Sequence, residues 1–430
     1  MTHQRDRTLT VGALARVEGE GALYVRTRGG AVEDVRLNIY EPPRFFEAFL
    51  RGRAYTEPPD ITARICGICP VAYQMSACQA IEDACGVRVE GTLNELRRLL
   101  YCGEWIESHA LHIYLLHAPD FLGYPSALHL ARAHKPLVER GLALKKAGNA
   151  LLELLGGRAI HPINVKVGGF YRVPARAELE PIADTLRAAL DDALATVEWV
   201  AGFDFPDVTH DHAYLALTGD RYPLEGGTLR TDDGVAFPAE RFGDHVVESQ
   251  VPHSTALHAT LDGRRHLTGP LARYAVNHER LTPVAAGAAR AAGLDGPCRN
   301  PFRSIIVRAV EVVYAVEEAL RIIDAYAPPP APAVPVPARA GVGHGVTEAP
   351  RGVLYHRYEL DADGLIADAR IVPPTAQNQS AIEEDMRQVV TANPDLDDAA
   401  LTAVCERAIR NHDPCISCAA HFLDLTVDRR

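Results

Sequence analysis

Residues 63–74 read ARICGICPVAYQ, and residues 411–421 read NHDPCISCAAH. Each stretch contains a Cys-x-x-Cys pair, Cys66 with Cys69 and Cys415 with Cys418. Pairs at this spacing are typical of thiolates that bind a metal ion or take part in redox chemistry. Because the two pairs stand near opposite ends of the chain, a site that uses both of them requires the whole chain to fold around it.

The residues beside each pair favour thiolate chemistry. Pro70 fits the first position of a helix, which would put the first two sulfurs near free amide donors at the positive end of the helix dipole. Asp413 and His421 add an oxygen and an imidazole beside the second pair. On spacing alone, a structural tetrahedral zinc and a redox metal are equally good interpretations. The other cysteines are predicted to be small core residues: Cys78, Cys85, Cys102, Cys298 and Cys405.

Composition excludes several classes of protein. The chain has 430 residues, of which 47% are hydrophobic, and a net charge of −12, which argues against nucleic acid as a partner. No apolar run approaches the roughly 18 residues that cross a bilayer, so neither direct membrane insertion nor an export signal is expected. Nine cysteines, with two tight pairs instead of a disulfide framework, indicate a reducing compartment, and the predicted location is the cytoplasm.

Hydrophobic periodicity predicts a mainly α protein with β segments at both ends, an α+β fold. Apolar residues recur every three or four positions through the middle of the chain, whereas residues 8–40 alternate around Gly29-Gly30 and a later stretch alternates around Asp363-Gly364. Two short helices are predicted between the later hairpin and Cys415. One domain, 1–430, is predicted, with a β meander at 1–42, a helical core at 43–326 that has a mixed insertion near 204–270, a proline-rich connector at 327–340, and a hairpin with the second cysteine motif at 341–421.

Two further motifs complete a family resemblance. Together with RVEGEG at 16–21 and GVTEAPRG at 345–352, the cysteine motifs resemble the large, catalytic subunit of nickel-iron hydrogenases. The length and the PVAYQ continuation are most similar to the soluble, cytosolic, NAD(P)-linked group. The resemblance implies the helical core of that large subunit. It also implies an enzyme that cleaves H2 reversibly and heterolytically into protons and electrons.

The resemblance also implies a ligand set. Cys66 and Cys415 would bind nickel terminally, while Cys69 and Cys418 would bridge nickel to an iron that carries one carbon monoxide and two cyanides. Soft sulfur ligands are compatible with such a centre, and the Cys415 thiolate is implied as the first proton acceptor. No iron–sulfur cluster and no nicotinamide site are expected in this chain, which lacks further cysteine patterns and a glycine-rich dinucleotide motif.

Two charged residues are implied to act beside the metals. Glu18 resembles the proton-relay carboxylate of the family, although by itself it reads as a strand carboxylate paired with Arg16; Glu20 is expected to be a surface charge. Arg351 matches an arginine that covers the open side of the metals and donates hydrogen bonds to cyanide. Asp413 is expected to hold Arg351 in place or to cap a helix or turn.

Other positions are implied to surround the diatomic ligands or to bind a second metal. Pro350 would form part of a dry wall, and Thr375 aligns with a hydroxyl that hydrogen-bonds the other cyanide, although alone it reads as a turn residue. Glu47, His421 and the backbone carbonyl of Ile371 match the ligands of a magnesium ion. Three positions depart from the family pattern without affecting the metal ligands: Tyr73, Ser108 and Gln377. Four histidines are expected to be core or surface residues: His109, His112, His117 and His344.

Processing and partners follow from the same resemblance. A maturation endopeptidase would cleave after His421 and remove the tail 422–430. A small subunit with an iron–sulfur cluster would dock near Cys66 and Cys69, with flavin and NAD(P) diaphorase subunits beyond it. Two alternatives are a non-catalytic scaffold with a structural zinc and a coupling subunit of the respiratory complexes, although those coupling subunits lack the four cysteines that this chain retains.

Overall fold

The computed structural model describes residues 6–420 and has the α+β architecture that the periodicity predicts. Its helices are α1 (Phe46–Leu50), α2 (Pro58–Thr62), α3 (Pro70–Cys85), α4 (Gly91–Leu111), α5 (Ala118–Phe121), α6 (Ala127–Ala133), α7 (Lys135–Gly156), α8 (Arg176–Ala201), α9 (Phe242–His245), α10 (Pro270–Asn277), α11 (Pro283–Ala291), α12 (Ser304–Ala325), α13 (Pro374–Ala392), α14 (Asp398–Asn411) and α15 (Ile416–Ala419). Its strands are β1 (Arg7–Val11), β2 (Gly21–Arg28), β3 (Ala31–Ile39), β4 (Val165–Lys166), β5 (Gly169–Phe170), β6 (Ala213–Thr218), β7 (Thr228–Thr231), β8 (Ala236–Phe237), β9 (Val246–Ser249), β10 (His258–Leu261), β11 (His266–Leu267), β12 (Gly341–Ala349), β13 (Gly352–Leu360) and β14 (Ile366–Val372). Among residues 6–420, no helix combines the length and the apolar character needed to span a membrane.

The sheet at the N-terminus packs against the C-terminal part of the chain. Strands β1, β2 and β3 are antiparallel, and β2 turns into β3 at Gly29 and Gly30 as predicted. Alternation places Leu23 and Leu37 on one face, in a core that also contains Ile416 and residues of α13 and α14. This packing joins the start of the chain to the second cysteine motif.

The helical core is built from α4, α7, α8 and α12. Trp105 of α4 and Val310 of α12 are fully buried. Helices α4 and α7 approach closely where a methyl group on Gly148 would lie 2.6 Å from the Gly103 carbonyl oxygen. Helix α4 continues into a π-helical turn at His112–His117. The close crossing of α4 and α7 therefore depends on glycine at both positions.

Strand β12 is an element that the sequence analysis did not predict. It joins the predicted hairpin in a sheet of order β12–β13–β14 and lies directly on α3. A methyl group on Gly343 would be 2.0 Å from the Ala80 carbonyl oxygen, and one on Gly345 would be 2.1 Å from that of Ser76. Alternating glycines carry no strand signal, because a strand is recognised by bulky alternating residues. Since α3 begins directly after Cys69, this contact fixes the first cysteine pair against the sheet.

Other differences concern the length and continuity of helices. Within the predicted helical core, residues 271–292 have a helical period but form two helices, α10 and α11, because Pro283 starts a new helix. Helices α13 and α14 have 19 and 14 residues and are longer than the two short helices predicted. Buried polar residues obscure the period of α13; the Gln377 side chain, for example, donates to the Val353 carbonyl at 2.7 Å.

Candidate metal centre

The four paired cysteines meet in the interior of the protein. The Cys66 and Cys415 sulfurs are 3.5 Å apart, and those of Cys69 and Cys418 are 3.6 Å apart. All four sulfur atoms lie within 4.8 Å of one another, and all four residues are buried free cysteines. Four converging soft donors fit a transition-metal centre.

The ionisation of these thiols also points to a cation. Hydrogen bonds from the other three thiols hold the pKa of Cys66 well below its usual value, whereas burial and the neighbouring thiols raise the pKa of Cys415. Ionisation of one thiol therefore disfavours ionisation of the next, because buried like charges repel. All four groups ionise together only when a positive ion compensates them.

The first pair is placed by the start of α3. Cys69 is the N-cap residue and Pro70 occupies the first helical position, as predicted. The prediction that free amides of this helix serve the sulfurs is wrong for the next two residues. The buried Glu104 of α4 accepts from the amides of Val71 and Ala72 at 2.6 and 3.2 Å. Glu104 was missed because its contact with α3 is tertiary and leaves no local signal.

The second pair is placed by hydrogen bonds from its own backbone to α13 and to the segment before β2. The Cys415 amide donates to Thr375 Oγ1 at 2.9 Å, and the Ile416 amide donates to the Glu18 carbonyl at 3.0 Å. Thr375 lies in the first turn of α13 and is buried, so it is not an ordinary loop-turn residue. Its hydroxyl holds the backbone that carries Cys415.

Arg44 links the two cysteine motifs and was not predicted. Its guanidinium donates to the Ile65 carbonyl at 2.7 Å and also to the Ser417 carbonyl. Ile65 precedes Cys66 and Ser417 precedes Cys418, so one side chain ties together the two segments that supply the thiols.

Glu18 lies beside the thiols, half-buried. Its carboxylate accepts from the Ser417 amide at 3.0 Å and from the Ser417 hydroxyl. Burial and negative charge at Cys66 raise the pKa of Glu18, and hydrogen bonds from Ser417 and Cys415 oppose the rise. The alternative pairing with Arg16 is wrong, because Arg16 binds Asp120 instead. Glu20 is exposed, as expected.

Arg351 and Pro350 form the two-residue loop between β12 and β13. The buried Arg351 guanidinium donates to the Asp413 carbonyl at 2.9 Å and to Asp413 Oδ1 at 3.1 Å. Burial works against its charge, but Asp413 and the thiolates, Cys415 foremost, hold the pKa of Arg351 well above its usual value. The predicted pairing of Arg351 with Asp413 is confirmed.

A buried ionic network supports this loop. Arg273 donates to the Pro350 carbonyl at 2.9 Å, to Glu311 Oε1 at 2.8 Å and to Glu348 Oε2 at 3.1 Å. Burial would raise the pKa of Glu311, but Arg273 and His109 lower it to about 2. This network was not predicted. The charged residues within the apolar sequence of α12 are the signal that indicates it.

The predicted magnesium ligands are only partly described. Glu47 Oε1 accepts from the Ile371 amide at 2.6 Å, and burial raises the pKa of Glu47 to about 7. Glu47 thus contacts the amide of Ile371, whereas the predicted magnesium ligand is the Ile371 carbonyl. His421 and the tail 422–430 lie outside the described residues.

The remaining positions singled out from the sequence include two near the site and four histidines. Ser108 Oγ is 3.5 Å from Arg351 Nη1, and Tyr73 is buried beside the cysteine loop. Among the histidines expected to be structural, three are buried in the core and one is half-buried: His109, His112, His117 and His344.

A helical chain that folds both of its ends around four buried thiols, with an arginine and a carboxylate nearby, is built as a metal-binding protein. A profile of the nickel-dependent hydrogenase family matches residues 44–150 and 305–421. The chain belongs to this family and is a catalytic, large subunit of nickel-iron hydrogenase type. This assignment favours the hydrogenase prediction over the zinc scaffold and the coupling subunit.

Individual relatives agree with the family match. The chain is 36% identical to the alpha subunit of sulfhydrogenase 1 from Pyrococcus furiosus over 97% of this chain and 98% of that one. It is 35% identical to the alpha subunit of sulfhydrogenase 2 from the same organism over 95% of this chain and 98% of that one. A crystal structure of an NAD+-reducing NiFe-hydrogenase in the H2-reduced state superposes with a TM-score of 0.86 at 26% identity, over 96% of this chain and 99% of that one.

Proposed function

We propose that the four thiolates hold a nickel-iron centre, with Cys66 and Cys415 as terminal nickel ligands and Cys69 and Cys418 shared with the iron. The observation that carries this proposal is the pairing in space. The two proposed terminal sulfurs are neighbours at 3.5 Å, and the two proposed bridging sulfurs are neighbours at 3.6 Å. When bound, the metals, with one carbon monoxide and two cyanides on the iron, would supply the site that polarises H2 and accepts its electrons.

The protein's part in the reaction is to move the proton. The Cys415 thiolate would be the base nearest to the bound metals. Glu18 lies beside it, because the backbones of the two residues form an isolated parallel β-bridge. Ser417 holds the Glu18 carboxylate from two directions. A carboxyl with a raised pKa has enough proton affinity to receive a proton from a thiol and pass it outward.

Arg351, Pro350 and Thr375 would surround the diatomic ligands. Asp413 accepts from Nε and Nη2 of the Arg351 guanidinium, and the other N–H groups remain to donate to cyanide. Thr375 accepts from the Cys415 amide, so its own hydroxyl proton remains available for the second cyanide. Pro350 is held by Arg273 and contributes only apolar ring atoms to the wall.

A magnesium ion bound by Glu47, the Ile371 carbonyl and His421 is part of the proposal. In an antiparallel strand, the N–H and C=O of one residue point to the same side. Because the Ile371 amide points at Glu47, the Ile371 carbonyl faces the same region. A cavity of about 560 Å³ beside Glu47 leaves room for the waters that magnesium retains.

Electrons would leave near the first cysteine pair. Gly67 is exposed, and a methyl group there would lie 3.7 Å from Ile160 Cγ2. Ile160 is 60% exposed, which gives the surface beside the first cysteine pair an apolar side chain. We assign it to a small subunit with an iron–sulfur cluster, linked through flavin-containing diaphorase subunits to NAD(P) in the cytoplasm. The likeness to the NAD+-reducing enzyme supports this acceptor.

The proposal includes removal of the tail 422–430 by a maturation endopeptidase. It is tested by co-expressing the chain with its partner and maturation proteins. The infrared spectrum should then show carbonyl and cyanide stretches, and H2 should reduce NADP or NAD. Mass spectrometry should find a chain that ends at His421. A protein without these bands and without H2-dependent reduction would refute the proposal.

A further inference from the structure

A second cluster of metal-binding side chains lies apart from the four thiols. His210 and His212 precede β6, and Asp385 belongs to α13. One ligand atom from each of these buried residues lies within 4.8 Å of the other two. Alternation of the extended chain turns both histidines inward, whereas Asp211 between them is exposed. Outside this group of three, His412, which follows α14, brings a third imidazole against Asp385.

Three ring nitrogens face one carboxylate. His210 Nδ1 lies 2.9 Å from Asp385 Oδ2, and His212 Nε2 lies 2.7 Å from Oδ1. His412 Nε2 is 2.9 Å from Oδ2. Three imidazole nitrogens that converge on one buried carboxylate have the placement of ligands around a shared ion.

The hydrogen bonds of His210 give an independent indication. Its Nε2 is 2.7 Å from the Tyr214 hydroxyl, and that hydroxyl donates to the Cys298 carbonyl at 2.8 Å. The tyrosine has one proton and the carbonyl can only accept, so His210 Nε2 must donate. In a neutral ring, Nδ1 then has a lone pair directed at the Asp385 carboxylate. A cation between Nδ1 and the carboxylate removes this conflict.

The cluster has a route to solvent. A cavity of about 520 Å³ borders His212, and its lining includes the acidic residues Asp211, Asp233 and Glu384. An ion can therefore reach the buried donors from the surface without passing through the thiol centre.

We propose that His210, His212, His412 and Asp385 bind a zinc ion. Three imidazole nitrogens and one carboxylate oxygen are a closed tetrahedral set of the kind that zinc prefers at structural sites. The ion would tie the segment before β6 to α13 and to the end of α14. Since His412 stands three residues before Cys415, the ion would hold the backbone that enters the second cysteine motif.

The direct test is zinc analysis with X-ray absorption at the zinc edge, on the purified enzyme complex grown with zinc and without chelators. We expect one zinc per chain with nitrogen and oxygen neighbours at about 2.0–2.1 Å. Absence of zinc, or zinc with only sulfur neighbours at about 2.3 Å, would overturn the proposal. This spectrum separates the new site from zinc misplaced on the four thiols.

Variants provide a second test. His212→Gln and Asp385→Asn should lose the zinc while the protein retains its other metals. The matched control is His245→Gln, because His245 forms a simple pair with Asp262 at 3.0 Å and should leave the zinc content unchanged. Zinc retained in both site variants would contradict the assignment. If the site variants do not fold, the wild-type spectrum decides.

Discussion

The Ile416 amide donates to the Glu18 carbonyl at 3.0 Å, which joins the first strand-rich segment to the second cysteine motif. The Glu18 side chain binds Ser417 on the same segment. One residue near the N-terminus therefore holds the backbone of the second thiol pair and also presents a carboxyl to it. The centre is complete only when both ends of the chain are packed together.

Replacement of Glu18 by glutamine should stop proton transfer while leaving the centre assembled. The amide can still accept from Ser417, but it cannot take up a proton. We expect H2 oxidation to fall by about 10²-fold or more with unchanged metal content. The control is Glu20→Gln, at an exposed position. Wild-type activity in Glu18→Gln would exclude the assigned relay.

Replacement of Arg351 by lysine should retain the positive charge but lose the planar guanidinium group and its several N–H donors. Lysine cannot reproduce two contacts with Asp413 and also donate to the proposed diatomic ligands. We expect activity to fall by about 10²-fold, measured as H2 oxidation per nickel. Arg357→Lys, at a half-buried arginine paired with Asp368 at 2.9 Å, serves as the control. Equal activity in both variants would argue against a role for Arg351 at the site.

Replacement of Gly343 by alanine should displace α3 from β12. The new methyl group would meet the Ala80 carbonyl oxygen at 2.0 Å, so the backbone must move. We expect a loss of about 3 kcal/mol or more in unfolding free energy, with reduced nickel loading. Gly287→Ala in α11 has open space around it and should stabilise by about 0.5–1 kcal/mol. Urea unfolding distinguishes the two, and an undisturbed Gly343→Ala would show that the close packing is not required.

Buried His258 should make stability fall in mild acid. Burial and nearby His253 lower the pKa of His258 from 6.5 to about 4. The unfolded chain therefore takes up a proton below pH 6.5 that the folded chain refuses until about pH 4. The contribution of neutral His258 to the free energy of unfolding is therefore present above pH 6.5 and is lost as the pH falls toward 4.

Between pH 7 and pH 5, His258 alone should remove about 2 kcal/mol of unfolding free energy. A His258→Gln variant should lack this part of the pH dependence in urea titrations. The exposed His129→Gln variant should behave as wild type. The same pH dependence in His258→Gln and wild type would contradict the assignment.

Local patterns predicted those parts of the fold that depend on local sequence. Alternation around Gly29-Gly30 predicted the meander, and Pro70 after Cys69 predicted the start of α3. The convergence of the two cysteine pairs was predicted from the family resemblance, which implies that all four thiolates bind one centre. Asp413, two residues before Cys415, was predicted to hold Arg351, and it does.

The missed features depend on contacts between distant segments. Glu104 caps α3 from another helix, and Arg44 joins two loops that are far apart in sequence. Strand β12 carries glycines where a strand pattern needs side chains, because α3 occupies that space. His210 and Asp385 are separated by 175 positions, so no local spacing reveals their cluster.

The central claim is that the thiols of Cys66, Cys69, Cys415 and Cys418 hold nickel together. The most direct measurement is the nickel content and the nickel-edge X-ray absorption spectrum of the protein purified with its partners. We predict one nickel per chain with sulfur neighbours and a loss of nickel in Cys415→Ala. A protein that contains no nickel, or whose nickel has only nitrogen and oxygen neighbours, would contradict this claim.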